Sequence, residues 1–170
     1  MGFKKNILAF FIISIAGVIS HFVYEWTGDN VLAGLFFPVN ESIWEHLKLI
    51  FYPALIYFTA EYFIRGEDIP QNYIPASIKG IFCGMLTIIT LYYVLTGVLG
   101  RNIDFLNIII YFISVIVALI KRNRIIRSDK RYSETTTLVF LLITLLFAIL
   151  FPIWSFYPPH LAIFTPPMIC

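Results

Sequence analysis

The sequence predicts an all-α membrane protein, a bundle of about five transmembrane helices with a re-entrant or interfacial segment between the first two. Three features support this fold class: the composition, the apolar runs and the placement of basic residues. Hydrophobic residues make up 59% of the 170 residues, charged residues make up 13%, and the mean hydropathy is +0.85. Because each spanning helix needs roughly 20 apolar residues, residues 1–170 are predicted to form a single transmembrane helical domain. The formal net charge of +2 is small, so no nucleic-acid binding is expected.

Five apolar runs are long enough to form spanning helices. The first, 7–26, follows Lys4 and Lys5 without a small-x-small cleavage pattern, which favours an uncleaved helix over a secretory signal. The second starts near Ser42 and extends to residue 64, with a kink expected at Pro53. The other three are predicted at about 80–98, 103–120 and 137–157.

Two local patterns add to this outline. The connection 27–40 opens with the turn signal Thr-Gly-Asp-Asn but continues Val-Leu-Ala-Gly-Leu-Phe-Phe-Pro, which is too short to span and too apolar to be solvated. This composition predicts the re-entrant or interfacial segment. In the third run, Gly80 and Gly84 have the small-xxx-small spacing that permits close helix contact.

Basic residues are concentrated on one side of the predicted bundle. With five spans, one side collects ten: Lys4, Lys5, Arg65, Lys79, Lys121, Arg122, Arg124, Arg127, Lys130 and Arg131. The other side has Lys48 and Arg101. The positive-inside rule therefore predicts a protein of the cell membrane with a cytoplasmic N-terminus and an extracytoplasmic C-terminus. Trp26, Trp44 and Trp154 fall at the outer ends of spans, as expected for interfacial indoles.

This topology gathers polar residues from three separate parts of the chain at the outer boundary. They are His21, Glu25, Asp29, Asn40, Glu41, Glu45, His46 and His160, and they include all three histidines of the protein. Ionisable groups at membrane depth are costly, and they usually face the bundle interior or a water-filled cavity. We therefore predict a functional site at this boundary.

Imidazoles and carboxylates at these spacings are suited to a divalent transition metal, with zinc, iron and manganese as the candidates. His21 and Glu25 are four residues apart and share a helical face. The predicted metal ligands are His21, Glu25, His46 and His160. Glu41 and Glu45 are predicted catalytic carboxylates, and Glu25, Glu41 or Glu45 either completes the ligand shell or acts as a general base on a metal-bound water. The predicted substrate contacts are Asn40, Trp44 and Tyr157.

Structural roles compete with this interpretation. Ser42-Ile-Trp-Glu45 matches a capping box in which the Glu45 carboxylate returns to the helix start. Glu41 is also favoured near a helix N-terminus by the macrodipole. An interhelical hydrogen bond is the alternative for His21, and an interfacial position is the alternative for His160. At the opposite end, Glu61 and Arg65 are predicted to form an i,i+4 ion pair.

Three motifs together resemble a family of small bacterial multi-pass membrane proteins of uncharacterised function. They are Phe37-Pro-Val-Asn-Glu-Ser-Ile-Trp-Glu-His-Leu-Lys48, His21-Phe-Val-Tyr-Glu-Trp26 and Tyr157-Pro-Pro-His160. The resemblance covers most of the chain. It implies a membrane location and implies no activity.

Two classes of function remain open at this point. The first is a metal-dependent hydrolase that acts on a lipid or amphipathic substrate at the outer leaflet. The second is a non-enzymatic subunit of a binding or transport system, which captures a cation or a small polar solute in the same acidic pocket. The lipid bilayer surrounds the protein in both, and no ATP-binding or redox motif is present.

Overall fold

The structure, a computed structural model, describes residues 3–167, most of which are helical. Six α-helices occur in this part of the chain: α1 (Phe3–Trp26), α2 (Val31–Gly34), α3 (Ile43–Arg65), α4 (Tyr73–Leu99), α5 (Asp104–Ile126) and α6 (Glu134–Phe156). Two short 3-10 turns, Gly66–Asp68 and Ala162–Phe164, complete it, and residues 3–167 contain no β-strand. All helices except α2 are long and apolar enough to cross a membrane. The predicted fold class is therefore confirmed.

Successive long helices run in opposite directions, so the bundle has two distinct ends. We call the end where α1, α4 and α6 finish and α3 and α5 begin the histidine end. The opposite end, where α3 and α5 finish, is the arginine end. The predicted interfacial segment 27–40 lies at the histidine end and contains the single-turn helix α2.

Helix α3 is the centre of the bundle because it contacts the four other long helices. Its Leu47, Ile50, Phe51 and Ala54 side chains are at most 1% exposed. Helix α6, by contrast, packs on α3 and α4 and presents most of its apolar surface outward. This pattern of a buried central helix and a lipid-facing outer helix fits a membrane bundle.

The predicted glycine contact lies between α4 and α5, the most extensive helix pair of the bundle. A Cβ atom added at Gly80 would lie 2.8 Å from the Ala118 carbonyl oxygen. One added at Gly84 would overlap the Ile50 side chain and lie 3.0 Å from the Ser114 carbonyl oxygen. The absence of side chains at these positions therefore sets how closely α4 approaches its neighbours.

Helices α4 and α5 extend further toward the arginine end than the apolar runs predicted. Helix α4 begins at Tyr73 rather than near Gly80, and α5 continues to Ile126 rather than residue 120. Asn72 connects the start of α4 to the end of α5, because its Nδ2 donates to the carbonyl oxygens of Ile125 at 2.7 Å and Ser128 at 3.2 Å. Polar residues can extend these helices because tertiary contacts satisfy their polar groups. The length of an apolar run does not reveal such contacts.

A buried ion cluster joins α3, α4 and α5 at the arginine end. Glu61 Oε1 pairs with Arg65 Nε at 3.0 Å, which confirms the predicted ion pair. Its Oε2 atom pairs with Arg122 Nη2 at 2.6 Å and accepts the Tyr73 hydroxyl at 2.9 Å. Arg122 is fully buried, and its guanidinium lies 4.2 Å from the centroid of the Phe58 ring. Arg122 is therefore an internal cation of the bundle, not the loop residue that the charge count assumed.

Candidate metal centre

The contact between α1 and α3 places two histidines opposite each other. His21 lies near the end of α1 and His46 in the first turn of α3, and the ring centroids are 5.6 Å apart. The turn that precedes α3 adds a carboxylate. Ser42 caps α3 by accepting the Glu45 N–H at 3.4 Å, and it donates its own N–H to Asn40 Oδ1 at 2.8 Å. This turn holds Glu41 beside both rings.

Glu41 bridges the two imidazoles, and we call the three residues the His–Glu cluster. Glu41 Oε1 lies 3.6 Å from His21 Nε2, and Oε2 lies 3.4 Å from His46 Nε2. One ligand atom from each residue lies within 4.8 Å of the other two. Ligand atoms bound to a tetrahedral zinc are about 3.3 Å apart. The two imidazole–carboxylate distances, 3.6 Å and 3.4 Å, are close to this spacing and involve the two different oxygens of Glu41.

Both histidines direct Nε2 at the cluster. His46 Nδ1 donates its hydrogen to the Ser42 carbonyl oxygen at 2.8 Å, because a carbonyl can only accept. A backbone hydrogen bond of this kind commonly orients a metal-ligating histidine. His21 Nδ1 is buried and has no hydrogen-bond partner among residues 3–167. In both histidines Nε2 is the nitrogen that lies beside Glu41 and that would meet a cation.

The cluster is accessible from the Glu41 side. The Glu41 side chain is 62% exposed, whereas His21 and His46 are 29% and 21% exposed. The hydrogen bond with His46 lowers the pKa of Glu41, and the charges of both imidazoles add to this effect against the partial burial of the carboxyl group. Glu41 is therefore an ionised carboxylate that can bind a cation.

Glu45 faces away from the His–Glu cluster. The residue is 1% exposed, and its Oε2 atom forms an ion pair with Lys48 Nζ at 2.9 Å. The same oxygen accepts the Val39 N–H at 2.9 Å, and Oε1 accepts the Ser155 hydroxyl at 2.6 Å. The Glu45 half of the predicted capping box is not formed, because Asn40 accepts the Ser42 N–H instead.

Lys48 completes this buried network. Its Nζ atom donates to the carbonyl oxygens of Gly34 at 2.9 Å and Phe37 at 3.1 Å. These bonds satisfy backbone groups that a non-helical segment would otherwise leave unpaired in an apolar setting. The Glu45–Lys48 pair therefore ties the interfacial segment to α3, and Ser155 extends the tie to α6.

The remaining predicted site residues lie at the histidine end but outside the cluster. Glu25 is exposed, one helical turn after His21. Asn40 Oδ1 accepts the Ser42 N–H. Trp44 is buried among aromatic rings, and its indole Nε1 has no hydrogen-bond partner among residues 3–167. Tyr157 and His160 are exposed in the turn after α6. The predicted ligand and substrate roles of these residues stay predictions.

Lys48 and Ser155 were not predicted as partners of Glu45. Glu45 and Lys48 are three residues apart in an apolar helix, and this spacing is a signal for an internal ion pair. Ser155 is far from both in the chain, and no local pattern indicated its contact. The Cys170 thiol lies outside the described residues, and Cys83 is a free thiol within α4.

The fold and the cluster together define a class: a multi-pass helical membrane protein with two histidines and one glutamate gathered at one end of its bundle. The chain belongs to DUF6512, a family of unknown function, whose match extends over residues 3–169. This match confirms the resemblance to an uncharacterised family. Comparisons with curated proteins and with solved structures gave no match.

Proposed function

We propose that this protein is a metal-dependent hydrolase that acts on a lipid or amphipathic substrate at the membrane boundary. The observation that carries the proposal is the His–Glu cluster, in which His21, Glu41 and His46 each place one ligand atom within 4.8 Å of the other two. Catalytic zinc sites have three protein ligands and an open position, whereas structural sites are closed by four. Three ligands with an exposed side correspond to the catalytic arrangement.

The donor set suits zinc first, and iron or manganese also accept imidazole and carboxylate ligands. A metal ion held here would act as a Lewis acid and lower the pKa of a water in the open position to about 7. Glu41 supplies the negative charge of the ligand set, and the Ser42 carbonyl keeps the His46 ring in place.

Glu25 is the carboxylate that we assign as general base. It is exposed and lies one turn after His21, so its charge acts on the same site. Glu45 is a poor candidate by comparison, because Lys48, Val39 and Ser155 already occupy both of its oxygens. Glu25 therefore takes the role that the sequence left open between three carboxylates.

We further propose that the histidine end faces the outside of the cell membrane. The exposed basic residues of the arginine end support this orientation: Lys5, Lys121, Arg124, Arg127, Lys130 and Arg131. At the histidine end, Lys48 is buried and paired with Glu45, which leaves Arg101 as its exposed basic side chain in the described part of the chain. When the ion-paired residues Lys48, Arg65 and Arg122 are left out of the count, eight basic residues remain on the side of the arginine end and Arg101 alone remains on the other side of the bundle. The positive-inside bias therefore persists.

Cobalt(II) substitution tests the metal site and its open position together. The loaded wild-type protein should show visible d–d bands, and azide should change them by binding at the open position. Glu25→Gln should keep the cobalt spectrum while hydrolysis of p-nitrophenyl decanoate falls about 100-fold or more, as expected for a lost general base. His46→Ala should lose both the cobalt spectrum and the hydrolysis.

Two results would count against the hydrolase. A cobalt spectrum that azide leaves unchanged would mean a closed site, which favours the alternative of a cation- or solute-binding subunit. Equal hydrolysis by wild type and His46→Ala would place the activity elsewhere.

The orientation has its own test. Asp29→Cys, in a background where Cys83 and Cys170 are replaced by serine, should react with an impermeant maleimide on intact cells. Ser128→Cys, at the arginine end, should react only after the cells are permeabilised. The reverse pattern would place the His–Glu cluster on the cytoplasmic side.

A further inference from the structure

The Tyr111 hydroxyl of α5 lies between α1 and α3, the two helices that hold the histidines. Tyr111 is 7% exposed, and its hydroxyl donates to the Ile13 carbonyl oxygen of α1 at 3.0 Å. The same hydroxyl lies 3.4 Å from the Leu49 carbonyl oxygen of α3. One side chain of a third helix therefore contacts the backbones of both helices.

Gly17 of α1 provides the space for this hydroxyl. A Cβ atom added at Gly17 would overlap the Tyr111 hydroxyl and would lie 2.5 Å from the Leu49 carbonyl oxygen. Because ordinary van der Waals contact begins near 3.4 Å, α1 and α3 would have to separate by roughly 1 Å to accept this atom. The missing side chain therefore permits the close approach of α1 and α3.

This contact lies one helical turn from the His–Glu cluster on both helices. Gly17 precedes His21 by four residues, about 6 Å along α1 at 1.5 Å per residue. Leu49 follows His46 by three residues, about 4.5 Å along α3. The backbone hydrogen bonds of a helix join consecutive turns, so a displacement at the contact is passed to the histidines. A separation of roughly 1 Å is large for a metal site, in which ligand distances vary by only about 0.2 Å.

We propose that Tyr111 and Gly17 fix the separation of α1 and α3 and thereby set the spacing of His21 and His46 for cation binding. Tyr111 is a positioning residue, because its hydroxyl acts on the histidines through the backbones of the two helices. This role rests on the proposed metal-dependent function, since it concerns the affinity of the same site for its cation. Loss of the hydroxyl loosens the contact and a side chain at position 17 widens it, so both changes should weaken cation binding.

Cobalt(II) titration of the detergent-purified protein tests this positioning role, because the visible d–d bands report both the affinity and the coordination geometry. Tyr111→Phe removes the hydroxyl and keeps the ring, whereas Gly17→Ala adds a Cβ atom at the contact. The two variants change the contact from different helices, so the test does not depend on the folding of either one alone.

Each variant has a matched control away from the cluster. Tyr73 is 2% exposed, and its hydroxyl donates to the Phe58 carbonyl oxygen of α3 at 2.9 Å. Tyr73→Phe therefore removes a comparable buried hydrogen bond, but Phe58 lies about 18 Å along α3 from His46. Gly97→Ala is the control for Gly17→Ala, because a Cβ atom added at Gly97 meets no atom within 4 Å.

Tyr111→Phe and Gly17→Ala should each weaken cobalt binding about tenfold and change the intensity of the bands, as expected when a group that orients metal ligands is lost. Tyr73→Phe should unfold at a lower temperature than wild type and still bind cobalt with wild-type affinity. Gly97→Ala should also keep the wild-type cobalt affinity.

The outcomes separate the positioning role from the metal site itself. Equal cobalt affinity in all five proteins would overturn the positioning role and leave the metal site intact. An equal loss of affinity in Tyr111→Phe and Tyr73→Phe would also overturn it, because the effect would then follow from stability alone. A wild-type protein that shows no cobalt bands would overturn the proposed function and this role with it.

Discussion

At the residue scale, Glu45 and Lys48 show how two opposite charges are kept inside an apolar bundle. Each is at most 1% exposed, and each has further partners besides the other. The additional bonds matter because a buried ion pair recovers its desolvation cost only when its remaining donors and acceptors are satisfied. Here those partners are the Ser155 hydroxyl and backbone groups of the interfacial segment.

Removing one member of the pair should therefore harm the protein more than removing both. Glu45→Ala leaves the Lys48 ammonium buried without its counter-ion, which should cost about 3–5 kcal/mol. The double variant Glu45→Leu, Lys48→Met should recover part of this loss, because no unpaired charge remains, while the Gly34 and Phe37 carbonyls and the Val39 N–H still lose their partners. Thermal unfolding in detergent checks both. A double variant that is no more stable than Glu45→Ala would contradict the paired role.

Loss of Lys48 alone should loosen a defined segment. Lys48→Met removes the donor to the Gly34 and Phe37 carbonyls. Amide hydrogen exchange in residues 31–39 should accelerate, because this segment loses its ties to α3. Residues 110–119 of α5 serve as an internal reference and should exchange as in wild type. Unchanged exchange in 31–39 would show that other contacts hold the segment.

At the element scale, the close approach of α4 depends on the absence of side chains. Gly84→Leu should destabilise the bundle by about 1–3 kcal/mol, because the new side chain meets Ile50 and the Ser114 carbonyl. Gly97→Leu is the matched control on the same helix, since an added Cβ there meets no atom within 4 Å. Melting temperatures of the two variants give the comparison. Equal effects would mean that helix propensity rather than packing dominates.

The contacts between α3 and α5 at the arginine end depend on the buried charge of Arg122. Arg122→Ala removes the ion pair with Glu61 and the contact with the Phe58 ring. Glu61 retains Arg65, so the expected cost is about 2–3 kcal/mol. Arg124 lies two residues further along α5 and is exposed, so Arg124→Ala should change the free energy of unfolding by less than about 0.5 kcal/mol. A similar loss in both variants would contradict an internal role for Arg122.

The element ends also show what the sequence could not predict. Apolar runs located all five spanning helices, because hydropathy follows directly from the requirement to exclude unpaired polar groups from lipid. The run predicted for α4 began too late, at Gly80, and the run predicted for α5 ended too early, at residue 120. Asn72 and Arg122 are polar residue types, but distant partners satisfy their polar groups. Such pairings depend on tertiary structure and leave no periodic pattern.

At the scale of the whole molecule, topology predicted which residues share an end of the bundle but not which of them meet. Alternating spans placed His21, Glu41 and His46 at one boundary, and the structure brings these three together. Glu25 and His160 share the same end outside this group. The difference lies in helix rotation and turn geometry, which depend on packing of α1 against α3 and on the cap at Ser42.

Metal content after purification decides whether His21, Glu41 and His46 form a metal site. Wild-type protein loaded with zinc, then passed over a desalting column, should retain about one ion per chain. His21→Ala, Glu41→Gln and His46→Ala should each retain far less, whereas His160→Ala should match wild type because His160 lies outside the cluster. Wild-type protein without retained metal, or equal retention in His46→Ala and wild type, would contradict a metal site at these three residues.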